Sequence, residues 1–470
     1  MSLSPYRPDP DRLLPAEGRT RAVARELLAR VADLPILSPH GHVPAESIAD
    51  DTPFGDPASL LVRPDHYVTR LLHADGADLG DLDGEGEAGS RLAWRTFCRH
   101  WPAFAGTASG YWLEHELGQL FDIGGLDEAT SDESYDRIAE RLAQPDFRPR
   151  ALLDRFRIEL LATTDDPLDP LDAHRRLRDD PAITTRIAPT FRPDAYLDAG
   201  APGWGERVDR LLAAGGDDAS GGDGHGRYLE ALRRQRLRFI EAGAVSADHS
   251  LTPLGTAQLD PADASALFDR LRAGAGDASD ARLFQAHMIY EMARMSVDDG
   301  LVMTLHPGVV RDHHPATRAR RGSDSGHDIP VAAEFTRALQ PLLASFGTAA
   351  GFRLVLFTLD ETVFSRELAP LAGFYPSVYL GSPWWFLDAP DAMLRFRAAV
   401  TETAGFSRSA GFVDDTRGFC SIPVRHDTAR RVEAAFLARL VVEARITEDR
   451  AAEIIVDLVD GAPRRVFGLS

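Results

Sequence analysis

The 470-residue sequence contains no lysine, so all 52 basic residues are arginines. That absence removes whole mechanisms. A Schiff-base aldolase, a pyridoxal-phosphate enzyme and a Walker A nucleotidase each need a lysine amine. A metal pair bridged by a carboxylated lysine is excluded too, so any metal site should be mononuclear or carboxylate-bridged. Cysteine is nearly absent: Cys98 and Cys420 form no closely spaced pair. No disulfide framework is expected, and a reducing cytoplasm is the simplest location. No apolar stretch approaches the roughly 20 residues needed to span a bilayer. Residues 1–20 are rich in proline and charge and lack the apolar centre of a signal peptide. Positive charge is short as well: 72 acidic residues outweigh the arginines for a net charge of -20. Nucleic acid is therefore not the expected partner, since phosphate binding needs a basic face.

What is present is ordinary globular material, 44% hydrophobic and 26% charged. The length allows one large core with an insertion, or two domains. Residues 10–31 have helical spacing of Leu13, Leu14, Ala22, Leu27, Leu28 and Val31. A strand is predicted at 34–38. Residues 44–144 show little strand character, with helices predicted at 59–72, 90–104 and 134–142. Beyond them, apolar runs rich in β-branched residues alternate with amphipathic stretches. The runs fall at 158–163, 185–191, 244–246, 301–305, 353–358, 377–380 and 409–413. With the first strand they number eight, and strand–helix alternation predicts a parallel sheet. The predicted fold is α/β, a (β/α)8 TIM barrel. Residues 1–43 supply the first helix and strand, 44–150 a helical insertion, and 151–470 the rest of the barrel. The Gly/Asp-rich residues 213–226 read as a mobile loop.

A barrel collects the C-terminal ends of its strands on one face, where active sites sit. Residues i and i+2 of a strand point the same way. His40-Gly41-His42 after the first strand therefore aims two imidazoles at one point, and Asp415 and Arg417 share a side after the eighth. In a closed barrel those strands are neighbours. His40, His42 and Asp415 then form a three-ligand set for a divalent ion, with an open position for water or substrate. His306, ending the fifth run, is a further ligand, an acid/base group or a structural histidine. Arg192 and Arg417 suggest an anionic substrate, since arginine binds carboxylate through parallel N–H bonds, unless an aspartate neighbour occupies them. Arg311 lies just beyond His306. Trp384 and Trp385 stack on a sugar ring or fill core. His66 and Tyr67, in the insertion, reach over the barrel mouth or pack within a helix. Asp165 and Asp166 either join the site or start a helix with Pro167 at its first position. Asp248 and His249 follow the fourth run; His313 and His314 follow Arg311, and neither pair has an assigned role.

Taken in order, His40-Gly-His42, Asp65-His-Tyr67, Thr163-Thr-Asp-Asp-Pro167, Phe191-Arg-Pro-Asp194, His306 with Arg311, Gly381-x-x-Trp-Trp385 and Asp415-Thr-Arg417 resemble the motifs of the uronate (glucuronate) isomerase family, a branch of the amidohydrolase superfamily. The resemblance runs from about residue 10 to the C-terminus. It implies conversion of D-glucuronate to D-fructuronate and of D-galacturonate to D-tagaturonate. It also implies a metal, Zn²⁺ by preference and one per subunit, on His40, His42 and Asp415, and no nucleotide cofactor. Arg192, Arg311, Arg417, His66, Tyr67 and Trp385 would surround the sugar acid. The chain departs from the family pattern at Ser38-Pro39 before the first histidine and at Arg311-Asp-His-His314, where the family often has Arg-Asn-Asn-Asn; the segment Gly322–Asp328 beyond it is also His- and Asp-bearing.

The expected chemistry is proton transfer from C2 to C1 through a cis-enediol. Asp415 and Arg417, assisted by His66, Tyr67 and His306, are the catalytic candidates. A metal-dependent hydrolase, lactonase or decarboxylase on the same scaffold is the alternative. Neither membrane nor nucleic acid is expected as a partner, and a homo-oligomer is allowed.

Overall fold

Short apolar runs bounded by helices cannot bury both faces alone, so they pair side by side. The computed structural model describes residues 3–214 and 223–469. Its barrel strands are Ile36–Ser38, Ile158–Ala162, Arg186–Ala188, Ser246–His249, Val302–Leu305, Leu354–Leu356 and Val378–Leu380. The first three pair in sequence order and in parallel, and so do the last four. A parallel bridge from Phe191 to Ala247 joins the two groups, and another from Leu380 to Ser409 reaches the last run. The His42 N–H donates to Thr416 O at 3.0 Å, which returns that run to the first strand. This order is that of a (β/α)8 barrel.

The eighth run, expected as a strand at 409–413, makes only the Ser409 bridge. Gly411 sits at φ 84° and breaks the extended path; a Cβ there would lie 2.8 Å from Pro463 Cδ. The fourth strand starts at Ser246 rather than 244 and runs through Asp248 and His249. Three of its four residues, Ser246, Asp248 and His249, are polar, so apolar patterning places it too early. A two-stranded antiparallel pair, Val309–Val310 with Ile329–Pro330, has no counterpart among the predicted strands.

No strand is found between Ser38 and Ile158; the helices there include Pro57–Leu61, His66–Ala74, Gly86–Arg99, Ala108–Phe121 and Ser131–Leu142. The single helix predicted at 59–72 is two, because Pro64 interrupts it. Asp65 then restarts the chain by accepting from the Tyr67 N–H at 2.8 Å. The first helix begins at Gly18, not at residue 10, with Glu17 accepting the Arg19 and Thr20 N–H groups. Within the predicted loop 213–226, residues 215–222 lie outside the described residues. Those on either side belong to the helices Trp204–Ala214 and Gly224–Glu241.

Val68, Leu72, Trp94 and Phe97 of the insertion share one apolar cluster with Ile36, Ile158 and Leu161 of the barrel. The helix carrying His66 and Tyr67 is therefore seated on the barrel by continuous burial, the dominant favourable term in folding. Among the described residues no helix is long and apolar enough to cross a membrane. Cys98 and Cys420 are free and buried.

One buried acid in the insertion sets a pH dependence. Glu116 is 4% exposed. Burial, then the Asp65 charge, pushes its carboxyl up to about 8. Its folded value lies above its unfolded one, so the stability it contributes is full at acid pH and is lost as pH rises through about 8. Glu116→Gln mimics the neutral acid. Its melting temperature should therefore gain on the natural protein's between about pH 5 and pH 8. A gap that does not change with pH would contradict this.

Candidate active site

His40 and His42 leave the first strand with Gly41 between them; a Cβ at that glycine would lie 3.4 Å from Ala162 O. Asp415 comes from the last run at φ 45°, a left-handed conformation that aspartate tolerates better than most residues. Its Oδ1 lies 2.9 Å from His42 Nε2 and 3.3 Å from His40 Nε2. These contacts are close but not aligned as hydrogen bonds, and Oδ1 is buried without a hydrogen-bond partner. Metal–ligand bonds of about 2.0–2.2 Å set neighbouring donor atoms roughly 3 Å apart. Two imidazole nitrogens and a carboxylate oxygen, converging without bonding one another, fit a divalent ion. Partial burial also holds the His42 imidazole down at about 4, the neutral form that ligates metals. His40 goes the other way. Burial opposes its charge, but Asp248 and Asp415 outweigh it, so this point of the site calls for positive charge.

A second group adjoins the first. Asp248 is fully buried. It accepts from Thr304 Oγ1 at 2.6 Å and pairs through Oδ1 with His306 Nδ1 at 2.6 Å. With Nδ1 so occupied, His306 Nε2 is free, buried and unpartnered. Its ring stacks between His40 and Phe357 at centroid distances of 4.9 and 4.0 Å. His306 therefore has the geometry of an oriented acid/base group. Arg192 Nη1 lies 3.4 Å from Asp248 and its Nε donates to Asp194 at 3.0 Å. The aspartate pairing weighed for this arginine is present, and Arg192 also lines the cavity.

These groups open into a cavity of about 330 Å³, within the size range of small-ligand sites. Arg311 and Arg417 both line it. Arg311 pairs with Asp328 at 3.0 Å and lies 4.9 Å over the Trp385 ring. Arg417 pairs with Asp324 at 3.1 Å. His66 stacks on Trp385 at 4.9 Å. Trp385 itself sits at φ 50°, an unusual conformation for a bulky residue and of the kind concentrated at functional sites. Asp415 and Arg417 share the cavity as expected, although no strand alternation puts them there.

Asp248, Asp324, Asp328 and Arg425, to which the sequence assigns no role, all line the cavity. Asp248 had a usable signal, since in a strand through residue 249 it alternates with the outward His249. Asp324 and Asp328 lie in the Asp- and His-bearing segment 322–328, whereas Arg425 has no signal, because its partner Asp388 is 37 residues away.

Other residues lie elsewhere. His249 is buried with Nδ1 against Thr304 O at 3.2 Å, and burial lowers its imidazole to about 4. Asp165 and Asp166 start no helix, the next one being Asp172–Asp179. Asp165 instead ties strands two and three together through the Thr190 N–H, and Asp166 accepts from Tyr196 Oη at 2.8 Å. His313 and His314 do not line the cavity. They follow Asp312, which with His327 and Asp328 makes another compact His/Asp trio. There, His327 Nδ1 accepts the His314 N–H at 3.4 Å.

A sequence profile of the glucuronate isomerase family matches residues 19–467. The chain belongs to that family. It is 53% identical over 464 residues to the uronate isomerase of Corynebacterium efficiens, covering 98% of each chain. The crystal structure of glucuronate isomerase from Caulobacter crescentus superposes with a TM-score of 0.95 at 45% identity, covering 99% of this chain and 98% of that one. A uronate isomerase from Thermotoga maritima superposes at 0.91 with 28% identity, covering 98% and 99%. Family membership thus agrees with the fold and with the order of motifs from His40 to Arg417.

Proposed function

We propose that the protein interconverts D-glucuronate with D-fructuronate, and D-galacturonate with D-tagaturonate, as an aldose–ketose isomerase. The observation that carries this reading is the convergence of His40, His42 and Asp415 in one cavity with Arg192, Arg311 and Arg417. Three guanidiniums suit a sugar acid, and the donor trio suits a cation beside its carbonyl. A divalent ion held by His40, His42 and Asp415, Zn²⁺ by preference and one per subunit, would polarise the substrate carbonyl and ease proton loss next to it.

The residues divide the work. Asp415 takes the C2 proton and returns it at C1 on the same face, through a cis-enediol. Arg417 compensates the charge that builds on oxygen. Arg311 or Arg192 holds the C6 carboxylate through parallel N–H bonds. His306, oriented by Asp248, moves a hydroxyl proton, and Trp385 with His66 forms the wall against which the carbon chain lies. Tyr67 helps open the sugar ring. A cytoplasmic location belongs to the same reading.

The test is ketose formation from both uronates with chelated and Zn²⁺-reconstituted protein. Ketose from either acid by the reconstituted protein, and little from the chelated one, is the expected result. Well-folded, metal-loaded protein that makes no ketose would overturn it; release of ammonia, CO₂ or a ring-opened acid would redirect the reading to hydrolysis or decarboxylation.

A further inference from the structure

At the cavity wall lies a buried chain of groups, of which the chemistry above uses only Tyr67. Tyr67 Oη, on the insertion, donates to Asp388 Oδ2 at 3.2 Å. Arg425, in the first turn of the long helix Ile422–Val442, donates from Nη1 to the same oxygen at 2.6 Å. That Nη1 also donates to Asp414 O at 2.9 Å, the carbonyl immediately before Asp415. The Arg425 guanidinium lies 3.9 Å over Trp112 and 5.2 Å over the Tyr67 ring. Asp388 is 5% exposed, and its Oδ1 is buried with no hydrogen-bond partner. Tyr67 and Arg425 line the cavity; Asp388 does not.

We propose that Asp388, held in place by Arg425, is a positioning and proton-relay residue that lets Tyr67 open the pyranose ring of the bound sugar acid. The inference rests on the isomerase reading and extends it. An ordinary phenol is a poor base near neutrality. Here burial, reinforced by the Asp388 charge, raises Tyr67 well above its usual range, so it cannot work by ionising. It does not have to. Its own proton is already directed at a carboxylate, which leaves a lone pair on Oη for a substrate hydroxyl. Burial pushes Asp388 up to about 7 despite Arg425, so it can take and return a proton near neutral pH.

The step balances within these groups. The anomeric O1–H proton passes to Tyr67 Oη as the Oη proton passes to Asp388 Oδ2. The O1 electron pair forms the C1 carbonyl, the C1–O5 bond breaks, and its pair goes to O5. Tyr67 then gives its proton to O5 while Asp388 returns one to Oη. Both residues are regenerated, and the aldehyde needed for C2 proton abstraction is in place.

The test measures kcat/KM on D-glucuronate, unlabelled and deuterated at C2, for the natural protein, Tyr67→Phe, Asp388→Asn and the double variant. Each single variant should lose about 100-fold, in the range of one acid–base group, and the double variant no more. In the variants the C2 deuterium effect should fall to unity, because ring opening then limits turnover ahead of C–H cleavage. Tyr67→Phe leaves the Asp388–Arg425 pair intact, so the result does not hang on one fold-sensitive substitution. A loss with a deuterium effect well above unity would mean that these residues serve the C2 step or general structure, and would overturn the relay. So would multiplicative losses in the double variant, or no loss. If the natural protein makes no ketose, it is the isomerase reading that fails.

Discussion

Asp415→Asn is expected to abolish isomerisation, with turnover down roughly 10²–10⁴-fold, the span of a lost acid–base group. Asparagine keeps the size of the side chain and tolerates the left-handed conformation at φ 45°. The ring order, and the His42 N–H bond to Thr416 O beside it, should persist. Far-ultraviolet circular dichroism and melting temperature should therefore stay close to those of the natural protein. Asp415 faces both imidazoles, so its loss can act through metal binding or through the proton it moves. Metal content separates the two. Inactive protein that still holds about one ion per subunit assigns Asp415 as the base, whereas near-normal turnover would refute the role. A variant that loses both ion and activity assigns it as a ligand first.

The second large effect is expected at the histidines. His42→Ala should lose bound divalent metal and, with it, about 100-fold or more of ketose formation, comparable to removing an acid–base group. His42 suits the experiment better than His40, because its side chain is 22% exposed against 1%. Truncation there leaves little cavity, while removing His40 would also unstack His306. Chelating the natural protein should reproduce the loss, and adding metal back should restore the natural protein but not the variant. Full activity after complete chelation would defeat the metal reading altogether. Stability should change little in either treatment, since the core clusters around the first strand are apolar and independent of the site.

Elements with a strong local period are legible in the chain alone. The runs at 158–163 and 301–305 form the strands Ile158–Ala162 and Val302–Leu305. Failures follow one pattern, in which a polar residue or a glycine sits where the period needs an apolar one. Asp248 and His249 hide the end of the fourth strand, and Gly411 breaks the eighth. Pro64 splits a helix whose hydrophobic spacing runs across it.

By itself the sequence determined the alternation that closes a parallel ring, the placement of His40 and His42 beyond the first strand and of Asp415 and Arg417 beyond the last run, and the exclusion of every lysine mechanism. Each depends on covalent composition or on short-range periodicity, which is written along the chain. Only the tertiary structure decided that Asp248 orients His306, that Arg192 and Arg417 rest on aspartates, and that Asp388 stands between Tyr67 and Arg425. Tyr67 and Asp388 are 321 residues apart, and Asp248 and His306 are 58 apart. A buried charge must find a partner, but spacing along the chain does not say which one, because partners are chosen by the burial that folding creates.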